Sequence, residues 1–340
     1  TLLESEVTGI DFLNKVKNQK NFNIFKYRNF YNGGGVAIGD INNDGLADIY
    51  LTGNMVANKL YLNKGNFTFE DISISAGIEG NKPWSTGVVM VDINQDGLLD
   101  IYVSNAGNLK GNNHDNDLYI NNGDLTFTEK AAEFNLAKTG FSTHASFFDY
   151  DKDGDLDAYI LNNSNIPVSS LGYAEQRDKR AQDWANVPEI FRGVGDMLLR
   201  NDNGKFVDVS EQAGIYGSLI GFGLGVMVTD MNGDLYPDIY VSNDFYERDY
   251  LYINNQDGTF KEDITNWTSH LSLSAMGVDI ADINNDGNAD IFITDMLPEA
   301  DQRVKSVMEF EGYNVFKLKQ SKDFSQQYIQ NTLQLNNGNS

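Results

Sequence analysis

Side-chain oxygens recur along this chain at one fixed spacing. In DINNDGLAD, Asp40, Asn42, Asp44 and Asp48 hold the first, third, fifth and ninth places, and Gly45 holds the sixth. Alternate oxygens in a tight loop can converge on one point, and a glycine at the sharpest bend removes the steric cost of turning there. The chemistry that suits such a set is capture of a hard cation: Ca²⁺ takes six to eight oxygens at about 2.3–2.6 Å. The pattern returns at Asp92, Asn94, Asp96 and Asp100, at Asp149, Asp151, Asp153 and Asp157, at Asp230, Asn232, Asp234 and Asp238, and at Asp282, Asn284, Asp286 and Asp290. The peptide carbonyl at the seventh place, on Leu46, Leu98, Asp155, Tyr236 and Asn288, is the expected fifth protein ligand. Five bound Ca²⁺ ions are therefore expected. The loop at 230–238 is the least regular, with Leu235 at the glycine place and Gly233 two residues earlier.

These are not EF-hands. That loop closes with a bidentate Glu at its twelfth place and lies between helices. Here the twelfth place is Leu51, Val103, Ile160, Val241 or Ile293, each inside a strand-like run. The ninth-place Asp is then the closing carboxylate.

The elements that must position these loops repeat with them. A Gly-led apolar strand precedes each loop, as in Gly35-Val-Ala-Ile38, Gly87-Val-Val-Met90, Gly225-Val-Met-Val228 and Gly277-Val-Asp-Ile280, with Ala145-Ser-Phe-Phe148 at this place in the third repeat. A second strand follows the loop, as in Asp48-Ile-Tyr-Leu51 and Asp100-Ile-Tyr-Val103. A third opens with a near-constant phrase that begins at Asn58, Asn116, Asp196, Asp249 and Asn331, and a fourth lies around Phe67–Phe69, Phe127, Phe206 and Phe260. Four short strands per unit of roughly 50 residues, joined by tight Asn/Gly turns, predict propeller blades. Loop starts lie 52, 57, 81 and 52 residues apart. The fold expected is all-β, a propeller of seven four-stranded blades with six as the alternative.

Residues 1–35 form a leading segment with Thr8-Gly-Ile-Asp-Phe12 as a candidate strand, and residues 36–340 form the propeller. Insertions at 162–195 and 295–330 read as partly helical, basic and aromatic, and a shorter one at 105–115 carries His114. All three join second to third strands, so they belong on the face opposite the metal loops. Loops on a rigid scaffold commonly carry recognition, which makes Tyr173, Arg177, Arg180, Trp184, Arg192 and Tyr313 the candidates for ligand contact. The last phrase, from Asn331 to Gly338, is followed by no sixth metal loop. Either the leading segment completes the last blade or the chain is a fragment of a longer protein, and the second is the reading adopted.

Net charge is −24 over 340 residues. Three acids from each of four loops and four from the third place sixteen carboxylates at ligand positions. Five divalent ions would bring +10 against the net charge of −24. Nucleic acid is excluded as a partner, because phosphate binding needs a basic face. Cysteine is absent, so neither disulfides nor thiolate metal sites can form. No apolar run approaches the ~20 residues of a membrane span. Dependence on Ca²⁺ in loops of this kind suits compartments where the ion is near millimolar.

The D-x-[DN]-x-D-G-x-x-D loops with Gly-led strands, and the dipeptide Phe222-Gly223, resemble FG-GAP/VCBS repeats, the blades of integrin-α-type propellers. The phrases YNGGGVAIGDINNDGLADIYLTGN, NKLYLNKG and NTLQLNNG are similar to the bacterial cartilage-acidic-protein-like family, which is associated with ASPIC/UnbV domains. The resemblance implies a calcium-stabilised propeller that is exported to the cell surface, extracellular space or periplasm. It would be associated with the bacterial outer membrane and bind a protein or a glycan. Membership of an outer-membrane nutrient-uptake complex is a further implication of the same resemblance.

Catalysis finds little support. His114, His144 and His270 stand in no motif with a nucleophile, and no Gly-rich phosphate loop is present. Trp84, Trp184 and Trp267 could stack on sugars, although aromatics more often fill cores between blades. A calcium-dependent polysaccharide lyase or hydrolase using Arg177, Arg180 or His144 is the enzyme alternative. The expectation is a binding module and not an enzyme.

Overall fold

The computed structural model describes residues 3–107, 113–164, 177, 180, 195–217, 219–307 and 312–338. The repeats form antiparallel sheets. The first is β1 (Val36–Gly39), β2 (Asp48–Leu51), β3 (Lys59–Asn63) and β4 (Phe69–Asp71). The second is β5 (Ser85–Val91), β6 (Asp100–Asn105), β7 (Asp117–Asn121) and β8 (Phe127–Glu129). The third is β9 (Ser142–Phe148), β10 (Asp157–Asn162), β11 (Met197–Asn201) and β12 (Phe206–Asp208). The fourth is β13 (Gly223–Thr229), β14 (Asp238–Asn243), β15 (Tyr250–Asn254) and β16 (Phe260–Glu262). All four are ordered as meanders. A two-residue strand β17 (Leu271–Ser272) then precedes β18 (Gly277–Ala281) and β19 (Asp290–Thr294), while β20 (Gln327–Tyr328) pairs with β17 and β21 (Thr332–Gln334) pairs with β19. The fifth sheet thus has three described strands. The fold is all-β, built of blade-like sheets.

The chain divides into two compact units, Thr1–Phe147 with Asn201–Val207, and Phe148–Arg200 with Asp208–Ser340. In the first, Ile41, Tyr50, Leu60, Ile78, Val88, Ile101 and Phe127 share one core. In the second, Tyr159, Leu198, Val226, Ile239, Tyr252 and Phe260 form one core, and Tyr240, Leu251, Ile291 and Ile293 belong to another. Every residue of β6, β10 and β14 is buried, as central strands covered on both faces must be.

Glycine leads the first strands because neighbouring first strands nearly touch. A Cβ on Gly35 would meet Thr86 O at 2.6 Å, and one on Gly87 would meet Thr143 O at 2.4 Å. In the third repeat this place, five residues before the loop, is His144. The stretch Ala145–Phe148 therefore starts one residue late as its equivalent, a correction to the alignment by phrase.

A second device ties each second strand to its third. The residue opening the third-strand phrase accepts a backbone N–H through Oδ1: Asn58 from Gly53 (2.9 Å), Asn116 from Asn105 (2.8 Å), Asp196 from Asn162 (2.9 Å), Asp249 from Asn243 (2.8 Å) and Asn331 from Asp295 (2.8 Å). In the second, third and fourth sheets its other atom meets the second-strand tyrosine. Asn116 Nδ2 donates to Tyr102 Oη at 2.8 Å, whereas Tyr159 and Tyr240 donate to Asp196 and Asp249 at 2.8 and 2.7 Å.

The leading segment forms no strand at Thr8–Phe12. It lies against the first sheet, with Tyr61 donating to Asp11 Oδ1 at 3.1 Å and Asn14 Nδ2 donating to Asn54 Oδ1 at 2.9 Å. In the second insertion, helices span Asp301–Val307 and Tyr313–Gln320. Among the described residues no helix is long and apolar enough to cross a membrane.

Candidate metal centres

Each loop folds around its own carboxylates. In the first, Asp40 Oδ1 accepts the N–H of Asp44 (3.1 Å) and its Oδ2 that of Gly45 (2.7 Å), while Asp44 Oδ1 accepts the N–H of Leu46 (2.9 Å). Asn42 Oδ1 shares the Asp44 N–H at 3.2 Å. The same bonds recur around Asp92 and Asp96, Asp149 and Asp153, Asp230 and Asp234, and Asp282 and Asp286. Short polar side chains that bond the backbone a few residues on are what bend such turns. The bends hold the oxygens of places one, three and five together.

The fourth loop makes the full set despite its sequence. Leu235 takes the left-handed φ of +72° that Gly45 (+86°), Gly97 (+87°), Gly154 (+96°) and Gly287 (+90°) take elsewhere. Its N–H still reaches Asp230 Oδ2 at 2.8 Å. The misplaced glycine, Gly233 at place four, stands where Asn43, Gln95, Lys152 and Asn285 all have positive φ. The irregularity is one of residue type and not of backbone.

The ninth-place Asp is set differently. Asp48, Asp100, Asp157, Asp238 and Asp290 are all buried. One oxygen accepts the second-place N–H of its own loop, at 3.0 Å from Ile41, 3.2 Å from Ile93, 3.0 Å from Tyr150, 2.8 Å from Met231 and 3.1 Å from Ile283. The other accepts the N–H of the asparagine ending the third strand, from Asn63 (2.7 Å), Asn121 (2.8 Å), Asn254 (2.8 Å) and Asn336 (2.9 Å). That asparagine also latches one sheet to the one before it. Asn121 Nδ2 donates to Ile41 O (2.8 Å), Asn254 Nδ2 to Tyr150 O (2.9 Å) and Asn336 Nδ2 to Met231 O (2.9 Å). The third-strand phrase shows these asparagines in the sequence, but their partners come from the preceding repeat and no local pattern announces them.

Electrostatics separates the third loop from the rest. In the other four, the third-place Asn turns its amide to the fifth-place carboxylate, as Asn42 Nδ2 does to Asp44 Oδ2 at 3.0 Å and Asn284 Nδ2 to Asp286 Oδ2 at 2.9 Å. The Asn288 N–H and the Asn284 amide hold the Asp286 carboxyl below the usual carboxylate range. In the third loop Asp151 replaces that Asn, and Asp149, Asp151 and Asp153 bring ligand oxygens within 4.8 Å of one another. Desolvation and then the neighbouring Asp153 charge push Asp151 up. Desolvation followed by Asp153, Asp151 and Asp149 pushes Asp155 up to about 6. Asp155 Oδ1 is buried without a hydrogen-bond partner among the described residues. This donor set, all carboxylate oxygen and mutually repelling, fits a hard divalent cation.

The other candidates fall apart spatially. Arg177 and Arg180 are buried, not exposed for ligand contact. Arg177 Nε donates to Glu247 Oε1 at 2.8 Å, and its guanidinium lies 4.8 Å from the Phe324 ring centroid. Arg180 Nη2 donates to Asp196 O at 2.7 Å. Buried guanidinium groups need such partners, so these two side chains serve as internal anchors. Tyr313 is exposed. Tyr173, Trp184 and Arg192 lie outside the described residues. Trp84 is buried among Phe22, Tyr27 and Phe30. His114 stacks on Phe141, and burial lowers the pKa of His144.

Sequence comparison matches residues 40–103, 106–160 and 230–293 to the FG-GAP-like repeat. The chain belongs to the FG-GAP-like repeat family. It is also homologous to cartilage acidic protein 1, at 34% identity over 137 residues for the Xenopus tropicalis protein (39% of this chain, 20% of that protein). The Mus musculus protein is 29% identical over 216 residues (62% of this chain, 29% of that protein). The chain thus spans less than a third of the length of these relatives. Among solved structures, AofleA from Arthrobotrys oligospora aligns at 12% identity over 73% of this chain and 61% of that one, TM-score 0.40. The Vibrio cholerae biofilm matrix protein Bap1 aligns at 14% identity over 77% and 34%, TM-score 0.38. At these scores neither decides anything about this chain.

Proposed function

We propose that this chain is an exported, calcium-binding β-propeller of seven four-stranded blades that serves as a binding or scaffold module for a protein or glycan at the cell surface. The observation that carries the reading is the loop geometry, repeated five times and most acute at Asp149, Asp151 and Asp153. When bound, Ca²⁺ would neutralise the carboxylates of the first, third and fifth places, with the seventh-place carbonyl and the ninth-place Asp completing its shell. The protein's own contribution is preorganisation. Backbone N–H groups already hold the first- and fifth-place oxygens, and each ninth-place Asp is anchored to its third strand. Each filled loop would then staple a first strand to its second and steady the connections at the opposite end of the sheet. Of the described insertion residues, Tyr313 offers its ring to solvent as a contact for the partner.

Thermal melts and native mass spectra of the chain in Ca²⁺ and in excess EDTA test this. A site held at 100 times its Kd stabilises the folded state by about 2.7 kcal/mol. Five ions lost together, with a fall in Tm of roughly 10 °C or more, is the expected result. Identical melts in the two buffers would sink the calcium reading.

A further inference from the structure

Two sheets complete one repeated arrangement and a third leaves it open. In the first, Tyr61 pairs with Asp71 across the β3–β4 ladder and donates its hydroxyl to Asp11 of the leading segment at 3.1 Å. Lys59 Nζ sits 2.6 Å from Asp71 Oδ2. In the fourth, Tyr252 pairs with Glu262 and its hydroxyl accepts the Tyr216 N–H at 3.1 Å. Arg248 Nη2 sits 2.7 Å from Glu262 Oε2. In both, a cation neutralises the fourth-strand carboxylate and another stretch of chain covers the tyrosine hydroxyl.

In the second sheet, among the described residues, no cation pairs with the fourth-strand carboxylate and no other stretch of chain covers the tyrosine hydroxyl. Tyr119 pairs with Glu129, but Asp117 stands where the first sheet has Lys59. Tyr119 is 5% exposed, and its hydroxyl has no hydrogen-bond partner among the described residues. A cleft of about 590 Å³ opens there, lined by Tyr119, Asp117, Glu129, Glu79, Asn81 and Lys82. Lys82 Nζ leans toward Asp115 Oδ2 at 3.9 Å. Asp117 Oδ2 accepts a hydrogen bond from Asn105 Nδ2 at 3.0 Å, and the Lys82 charge acts on it from the cleft wall without forming an ion pair with it among the described residues.

We propose that this cleft binds the ammonium or guanidinium group of a Lys or Arg side chain carried on an extended peptide. The cation would lie between Asp117 and Glu129, and a polar atom of the peptide would meet the Tyr119 hydroxyl. The first sheet supplies the template: its corresponding position is filled by Lys59 and by the leading segment around Asp11, which is neither helix nor strand. A bare ion would leave most of the volume and the tyrosine unanswered, whereas pockets for organic ligands are about 300–1,000 Å³. Charge-assisted bonds to a partly desolvated carboxylate are among the stronger polar contacts. The inference does not rest on the calcium reading.

The test is an NMR titration of the full chain, in Ca²⁺ buffer, with acetyl-Gly-Arg-Gly-amide and acetyl-Gly-Glu-Gly-amide. The arginine peptide should bind saturably, at least about tenfold tighter than the glutamate peptide, a difference of about 1.4 kcal/mol. Asp117→Asn should weaken it by a similar factor, and Tyr119→Phe by about threefold. Asp117→Lys should build the internal pair that Lys59 makes in the first sheet, abolishing binding while the Tm holds or rises. Equal binding of both peptides would overturn the proposal, as would full binding by Asp117→Asn. A Ca²⁺ ion lost from the native mass spectrum of Asp117→Asn would make the cleft a metal site and overturn it equally.

Discussion

The loops at 40–48 and 149–157 share a backbone and differ at one informative atom. Where Asn42 points an amide N–H at Asp44, Asp151 points a second carboxylate at Asp153. The first loop therefore carries part of its own neutralisation within its nine residues, while the third has only Arg200, from outside the loop, to set against its extra charge. The same alternation appears at the opposite end of the sheets. Asn116 donates to Tyr102, which is then free to donate onward to Leu136 O at 3.3 Å, whereas Asp249 accepts the Tyr240 hydroxyl's hydrogen bond itself. Asn and Asp are nearly isosteric, yet one brings a donor and the other a charge. Which is suitable depends on what faces it, so one substitution should change sign from place to place.

The largest effect is expected where both oxygens face N–H groups. Asp48→Asn turns an amide NH₂ toward the N–H of either Ile41 or Asn63 in a buried place. Leaving one such donor unmet, with the repulsion added, should cost about 3 kcal/mol. Urea melts in EDTA isolate this from any loss of metal. A cost under about 0.5 kcal/mol would show that the ninth-place Asp is only a ligand and not a structural anchor.

Next comes Asp249→Asn, whose sign depends on pH. Burial pushes the Asp249 carboxyl up to about 7, against the Asn243 N–H, the Tyr240 hydroxyl and Arg248. The folded value lies above the ~3.9 of an unfolded chain, so folding favours the protonated form. Its stabilising contribution is complete below about pH 4 and is lost as pH rises through about 7. The variant, having no such group, should gain on the wild type by roughly 2 kcal/mol between pH 5 and pH 8. Parallel urea midpoints at the two pH values would read this, and a constant difference would refute it. Asn116, already neutral, is the internal control.

Asp151→Asn should convert the third loop to the type of the other four. In EDTA it relieves carboxylate repulsion and restores the amide bond, for a gain of about 1 kcal/mol. In Ca²⁺ it removes one ligand charge and should weaken the ion at that loop. A loss of stability in EDTA would mean that the attraction of Arg200 for Asp151 outweighs the repulsion from Asp153 and Asp149, and would overturn the ranking.

The loops were legible in the sequence because chelation demands fixed spacing within nine residues, and the strands because period-two patterning is local. What was not legible depends on partners far along the chain. Asn121 reaches Ile41 across 80 residues and Arg177 meets Glu247 across 70. In a basic, aromatic insertion Arg177 and Arg180 read as exposed contacts, and only a buried carboxylate and carbonyl brought in by folding reveal them as anchors. Thr8–Phe12 failed as a strand for a related reason, since alternation alone supplies no edge to pair with. His144 escaped because phrase matching anchored on apolar residues, whereas the equivalent place is fixed by its distance of five residues from the loop.

The smallest effect concerns the loop whose composition looked least suited to its task. Leu235 adopts a φ of +72° with a side chain that is 76% exposed, so it gains little from packing and bears the full left-handed cost. That cost is about 1–2 kcal/mol for a residue with a Cβ. Leu235→Gly removes it but returns entropy to the unfolded chain, leaving a net gain of about 0.5 kcal/mol. Gly233→Asn should add a comparable amount, because Asn43 and Asn285 already occupy that place at φ of 58° and 59°. The double variant would restore the common loop sequence and should bind its cation no more weakly than the wild type, since the N–H groups that position Asp230 and Asp234 are unchanged in direction. If Leu235→Gly instead lowers the Tm, the exposed leucine must be held by something, and the equivalence of the fourth loop to the other four would fail at that residue.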